Sequence, residues 1–328
     1  MIAVSGANGL VGAHYLIECI KHDVTVTALH RKGADKKYFD SLLDHYNINQ
    51  EQAKLVQWEE VNFLDPLELR SKIKGHKTFV HCAGYICFDN KVRRKLIKSN
   101  RDLTEKIVNA CLDEKLENFI YLSSIATLSY QERPQGKIES RFDSAYGLSK
   151  FLGELEVLRG KNEGLNCHTV KPGVILGPPP PKNEFRQLYA WIKKGYLYAS
   201  SGSTGVVEVR DLAAYLFALS SGNETKEILA VTKNLSFKEL IAALSEAIGI
   251  NKPVKKLSKR LMLFASKTIR FFTYLSPSPQ PLPKAAINAM YSGSNYETLA
   301  FKESYGKHSE TKDLVGNMAD YLGRYGKL

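Results

Sequence analysis

The sequence predicts an α/β protein built on a doubly wound parallel sheet, followed by a smaller, mostly helical region. Three observations predict it. Short β-rich runs alternate with helical stretches through about residue 175, the pattern that lays crossover helices on both faces of a parallel sheet. The first run leads straight into a glycine loop, Ser5-Gly6-Ala7-Asn8-Gly9-Leu10-Val11-Gly12. After Gly177-Pro178-Pro179-Pro180-Pro181 the alternation stops, because successive prolines continue neither a helix nor a central strand.

Strands are expected at 2–5, 24–29, 54–58, 78–82, 118–122 and 166–171, with helices at 10–21, 90–114 and 145–162 between them. Beyond the prolines, helices are expected at 184–194, 211–221, 236–248, 257–274 and 309–323. The chain divides on this reading into residues 1–177, a dinucleotide-binding domain, and 178–328, a substrate-binding region. A strand near 206–209 is expected to cross back to the first sheet. The 328 residues are 44 % hydrophobic and 24 % charged, an ordinary globular composition with ample material for a core.

Charge and cysteine usage bound the function. A net charge of +12 reads first as a basic surface spread over many faces. The alternative is an anionic ligand, such as dinucleotide phosphates, a nucleotide sugar, an acyl-CoA or an acidic membrane. No long basic run points to nucleic acid. Cys19, Cys82, Cys87, Cys111 and Cys167 form no Cys-x-x-Cys pair, so reduced thiols and no metal site are expected. With a first strand already open at Ile2, this points to the cytoplasm. No apolar run has the length of a membrane span; the best candidate, 261–275, is broken by Lys267 and Arg270. Residues 257–275 mix basic and apolar side chains and suit either an anionic bilayer surface or, the preferred reading, a helix whose apolar side covers the ligand.

In the glycine loop, Gly6 permits the tight turn, Gly9 lets the backbone approach a pyrophosphate, and Gly12 lets helix pack on strand. The following helix start offers free amides, those of Leu10 and Val11 among them, and a positive dipole end. The second strand ends Ala28-Leu29-His30-Arg31-Lys32, with no acid before Asp35. An acidic residue at that point would hold the ribose diol of NAD. Arg31 and Lys32 suit a 2′-phosphate, or else form a solvated basic loop. NADP(H) is therefore the expected cofactor, with NAD the alternative.

Tyr146 and Lys150 are four residues apart, which puts both on one helix face. A free phenol has a pKa of about 10. A neighbouring ammonium and a cationic nicotinamide are expected to lower it into the useful range. Ser124, twenty-two residues upstream at the end of a strand, would hydrogen-bond a substrate oxygen and steady developing charge.

With these residues the chain resembles an extended short-chain dehydrogenase/reductase, a Rossmann-fold group that includes the NAD-dependent epimerases and dehydratases. Cys82-Ala83-Gly84 resembles the family segment passing under the cofactor. Asn100 matches its structural asparagine, and Pro172-Gly173-Val174 its segment touching the nicotinamide amide. Asn62-Phe63 stands where many relatives have Asp-Leu against the adenine. The resemblance implies Tyr146 as acid/base, Lys150 on the nicotinamide ribose, Ser124 orienting the carbonyl or alcohol, and a homodimer through helices 90–114 and 145–162. Ile125 and Ala126 after Ser124 replace the acids of the dehydratases. The basic loop after strand two and Tyr85-Ile86-Cys87-Phe88 look more like the reductase branch, which includes dihydroflavonol-reductase-like proteins. Tyr85, Phe88 and Tyr130 are candidates for an apolar pocket.

The leading reading is an NADP(H)-dependent reductase of a ketone or aldehyde. The second is a nucleotide-sugar epimerase, for which Arg186, Lys193, Lys194 and Arg210 are candidate diphosphate ligands. The third is a cofactor-binding regulator without chemistry, against which the intact Ser124, Tyr146 and Lys150 argue.

Overall fold

Strand β1 (Ile2–Ser5) opens the fold in this computed structural model, which describes residues 1–129, 142, 144–222, 228–272 and 283–326. There follow α1 (Leu10–Lys21), β2 (Val26–His30), α2 (Lys37–His45), α3 (Gln50–Ala53), β3 (Val56–Glu60), α4 (Pro66–Ile73) and β4 (Thr78–His81). The chain continues through α5 (Arg93–Ile97), α6 (Leu103–Asp113), β5 (Asn118–Leu122), α7 (Ala145–Asn162) and β6 (Asn166–Pro172). These six strands line up in the order β6-β5-β4-β1-β2-β3, every neighbouring pair parallel. The order reverses between β1 and β4, and the clefts where ligands enter such sheets lie at that switch point, beyond the strand C-termini.

Alternation along each strand makes two cores. Val4, Ala28, Val80, Ile120 and Val170 face one helical layer. Ala3, Leu29, Phe79, Phe119 and Tyr121 face the other, among Leu69, Ile107, Val108 and Val157. The period of two in a pleated strand explains why nearly continuous apolar runs serve both faces.

The second half adds β7 (Val174–Leu176), α8 (Glu184–Lys193), β8 (Tyr198–Ala199), β9 (Ser203–Glu208) and α9 (Val209–Ser220). After these come β10 (Ile228–Ala230), β11 (Lys233–Ser236), α10 (Phe237–Ala247), β12 (Lys255–Lys256), α11 (Lys259–Phe272), α12 (Lys284–Tyr291), α13 (Leu299–Tyr305) and α14 (Thr311–Tyr325). One expectation changes here. The strand near 206–209 does not join the first sheet: β9 pairs with β7 in parallel and with β11 antiparallel, in a separate three-stranded sheet. The segment that returns is β10, which pairs with β6 and makes the large sheet seven-stranded. Only three residues long, it carried too short an apolar run to stand out.

The helix expected over 90–114 is present as a continuous run: a 3-10 turn at Asn90–Val92 leads into α5, and a π turn at Lys98–Asp102 joins α5 to α6. The wider turn carries Asn100, which is 1 % exposed; such bulges are frequent at functional sites. All five cysteines are free thiols. Among the described residues no helix is long and apolar enough to cross a membrane, and no cluster of His, Cys, Asp and Glu suited to a metal occurs.

Candidate active site

The glycine loop fits tightly because side chains would not. Gly6 has φ of 75°, and a Cβ there would stand 2.5 Å from the Ala83 amide nitrogen. A Cβ on Gly12 would stand 2.2 Å from the Gly6 carbonyl oxygen. Gly9 is the N-cap of α1 and supplies no side chain to it; its own amide donates to the Gly6 carbonyl at 2.9 Å. The loop therefore presents backbone and open amides of α1 at the switch point, where a diphosphate can approach closely. Residues Asn8, Leu10 and Val11 belong to this turn, and Asn8 Nδ2 donates to the Asp35 carbonyl at 2.6 Å. That bond ties the glycine loop to the loop after β2.

Arg31 and Lys32 are exposed in that second loop, with no ion pair among the described residues. The next acid along the chain, Asp35, spends its carboxylate on the Lys37 amide at the start of α2. After β3, Asn62 is exposed and its Oδ1 accepts from the Leu64 amide at 3.1 Å, while the Phe63 ring packs in the core beside Leu29 and Val61.

After β4, Cys82, Ala83 and Gly84 run from the glycine loop to the proton-transfer group. Ala83 abuts Gly6, and a Cβ on Gly84 would lie 3.4 Å from Asn100 Oδ1 and 3.8 Å from Lys150 Nζ. Asn100 clamps this segment. Its Oδ1 accepts from the Tyr85 amide at 2.8 Å, and its Nδ2 donates to the Tyr85 carbonyl at 2.9 Å and to Ser149 Oγ at 2.8 Å. Behind it, His81 bridges Ser5 Oγ and Thr104 Oγ1. Burial drives its imidazole pKa down to about 3, so it stays neutral and structural. On the other side, Pro172 is buried and Val174 half-buried. Between them Gly173 lies so close to β9 that a Cβ would be 2.4 Å from the Gly205 carbonyl oxygen.

Ser124, Tyr146 and Lys150 come together above β5. Lys150 is 3 % exposed. Its Nζ donates to the Leu122 carbonyl at 2.6 Å and sits 4.2 Å from the centre of the Tyr121 ring. Desolvation lowers the ammonium to a pKa of about 7, opposed by the charge of Glu154 and by Cys82. The Ser124 hydroxyl lies close enough to the Tyr146 phenol to favour its charged form. Gly147 lets α7 press against the turn after β5, since a Cβ there would be 2.5 Å from the Ala126 carbonyl oxygen. Leu96, Ala145, Phe88, Tyr85 and Cys87 pack around Tyr146, with the Phe88 ring edge-on at 5.6 Å. Tyr130 lies outside the described residues.

Within the protein alone, burial raises the Tyr146 phenol and the Ser124 hydroxyl opposes the rise; the expected lowering rests on the nicotinamide as well as the ammonium. One participant was missed. Glu154, one turn beyond Lys150, accepts from the Ser123 hydroxyl and lies 3.4 Å from Lys171 Nζ. The i+4 spacing after Lys150 was the available clue. Two candidate diphosphate ligands are already engaged. Arg186 donates to the Pro179, Pro180 and Tyr325 carbonyls, and Arg210 pairs with the buried Glu208 at 2.9 Å. Lys193 and Lys194 are exposed. A groove of about 500 Å³ opens elsewhere, along α1, α9 and the turn after α13; Ser124, Tyr146 and Lys150 do not line it.

The model of the NAD dependent epimerase/dehydratase family matches residues 2–221. The chain belongs to that family. It is therefore an oxidoreductase-like enzyme of the extended short-chain dehydrogenase/reductase type, built around a nicotinamide dinucleotide. It is 25 % identical over 271 residues to a putative dihydroflavonol 4-reductase of Synechocystis sp., covering 76 % of this chain and 73 % of that one. It is 26 % identical over 192 residues to a dTDP-4-dehydro-6-deoxy-D-allose reductase of Streptomyces sp., covering 54 % of this chain and 56 % of that one. Among solved structures, UDP-glucuronic acid 4-epimerase of Bacillus cereus, in complex with UDP-glucuronic acid and NAD, superposes with a TM-score of 0.72 at 16 % identity, over 98 % of each chain. That likeness carries the fold.

Proposed function

We propose that this family member is an NADP(H)-dependent reductase of a ketone or aldehyde, with residues 178–328 closing the substrate site over 1–177. The observation that carries the reading is the Ser124 hydroxyl close enough to the Tyr146 phenol to act on its titration, beside a buried Lys150. The Gly84 segment leads from that pair back to the glycine cradle. A bound nicotinamide dinucleotide would supply the hydride. Gly6, Asn8, Gly9, Leu10, Val11 and Gly12 would hold its diphosphate, Arg31 and Lys32 its 2′-phosphate, and Asn62 and Phe63 its adenine. Cys82, Ala83, Gly84, Pro172 and Val174 would border the nicotinamide half.

Ser124 would orient the substrate oxygen, and Tyr146 would release its phenol proton to that oxygen as the carbonyl carbon is reduced, leaving an alcohol and a phenolate. Burial opposes the phenolate, so positive charge beside it is needed. Lys150 would supply it, with Glu154 sustaining the ammonium. Phe88 and Tyr85 beside Tyr146 support an apolar substrate face, and the reductase relatives support the direction of chemistry. A cytoplasmic homodimer is proposed with this, since Leu155 and Leu158 stand exposed on α7. Sedimentation equilibrium of Leu158→Glu tests that contact.

Calorimetry of NADPH against NADH, on the wild type and on Arg31→Ala, tests the cofactor assignment. A strong NADPH preference that collapses in the variant is expected. Equal affinities, or NAD retained through purification, would move a nucleotide-sugar epimerase to first place. Solved neighbours that bind UDP-sugars favour that second reading, and the engagement of Arg186 and Arg210 within the protein weighs against it.

A further inference from the structure

The charge of this chain is concentrated. Residues 247–296 contain eight Lys and Arg and no Asp or Glu, and so carry +8 of the net +12. Helix α11 lies in the middle of this stretch. Its inward side is anchored: Met262 is 8 % exposed and Ser266 6 %. The Tyr291 hydroxyl of α12 donates to the Leu257 carbonyl at 2.7 Å and touches Met262 Sδ at 3.3 Å. The outward side is apolar, with Leu261 60 % exposed and Phe264 70 % exposed. These positions are three apart, one above the other on the helix surface. Arg260 and Lys267 flank them on that side, and Lys255, Lys256 and Lys259 precede them, all exposed. None of these five cations has an ion-pair partner among the described residues. The helix thus leaves Leu261 and Phe264 exposed among these cations.

We propose that this face of α11 docks the enzyme on an anionic lipid bilayer. Two exposed apolar side chains beside exposed cations without ion-pair partners fit the boundary of such a bilayer, where acyl chains take the first and acidic headgroups the second. A second copy of the chain does not fit, because the patch would meet its own like charge. Nucleic acid would answer the charge but leave Leu261 in water. The proposal concerns a surface remote in sequence from Ser124, Tyr146 and Lys150, and stands whichever substrate the enzyme takes.

The test is co-sedimentation of the full-length protein with phosphatidylcholine vesicles, with and without phosphatidylglycerol. Two variants are compared with the wild type, Leu261→Ser/Phe264→Ser and Arg260→Glu/Lys267→Glu. Their circular dichroism and cofactor affinity should be unchanged, since all four side chains are exposed. Binding only to the anionic vesicles, weakened by salt, is expected. Each cation at such a surface contributes about fivefold, so the double charge reversal should reduce partitioning by at least about tenfold. The double serine variant should lower it to a similar extent. No binding to anionic vesicles, or binding that both variants retain, would overturn the proposal. So would binding lost on charge reversal but untouched by the serines, which is electrostatic adsorption alone. Tight, salt-sensitive binding to a DNA duplex without binding to vesicles would assign the patch to nucleic acid instead.

Discussion

Replacing Lys150 by Met should change how stability depends on pH, not merely remove activity. In the folded chain the ammonium has a pKa of about 7, against 10.5 for a free lysine. The folded value is the lower one, so between the two the unfolded chain binds more protons, and wild-type stability rises with pH across that window. Lys150→Met deletes this titration. From about pH 6 to about pH 9 the wild type should gain roughly 3 kcal/mol relative to the variant. For a chain of this length that is about 4 °C in melting temperature. The assay is a pair of thermal melts across that range, read as the difference between the two proteins so that other titrating groups cancel. Because Glu154 opposes the shift, Glu154→Gln should move the onset of the rise to lower pH. A difference that stays flat over the range would refute the reasoning. It would mean that the Leu122 carbonyl and the Tyr121 ring hold the ammonium charged against desolvation.

Three further perturbations follow from the geometry. Gly12→Ala forces a methyl against the Gly6 carbonyl at 2.2 Å; overpacking of this kind should weaken NADPH binding by about tenfold or more by calorimetry, and unchanged affinity would remove the loop from the cofactor site. Tyr146→Phe keeps the buried ring but loses the proton; single-turnover reduction should slow by about 10² to 10⁴ with cofactor affinity retained, and a rate near wild type would assign the proton elsewhere. Asn100→Ala leaves the Tyr85 amide and carbonyl without the partner that holds them, and should cost roughly 2–4 kcal/mol in denaturant unfolding; a loss below about 0.5 kcal/mol would show that the segment does not depend on the clamp.

Elements whose causes are local are legible along the chain. Gly6 and Gly12 are required by a turn and a close approach within a dozen residues. The alternation of β1 to β6 with helices follows from apolar periodicity, and Tyr146 and Lys150 share a face because four residues make about one turn. The apolar and basic pattern of α11 was equally plain. The rest depends on contacts between residues distant in the chain. The Tyr146 phenol is raised because neighbours distant in the chain, Phe88 and Leu96 among them, exclude water from it. Lys150 is discharged toward neutrality for the same reason, and no count of nearby charges in the sequence reveals desolvation. Asn100 needs a π turn because Tyr85 and Ser149 stand on either side of it. Three-residue β10 joins the large sheet through its pairing with β6, and the longer β9 pairs elsewhere. Periodicity reports which side of a helix is apolar; only the packing of Met262 and Tyr291 decides that Leu261 and Phe264 face outward.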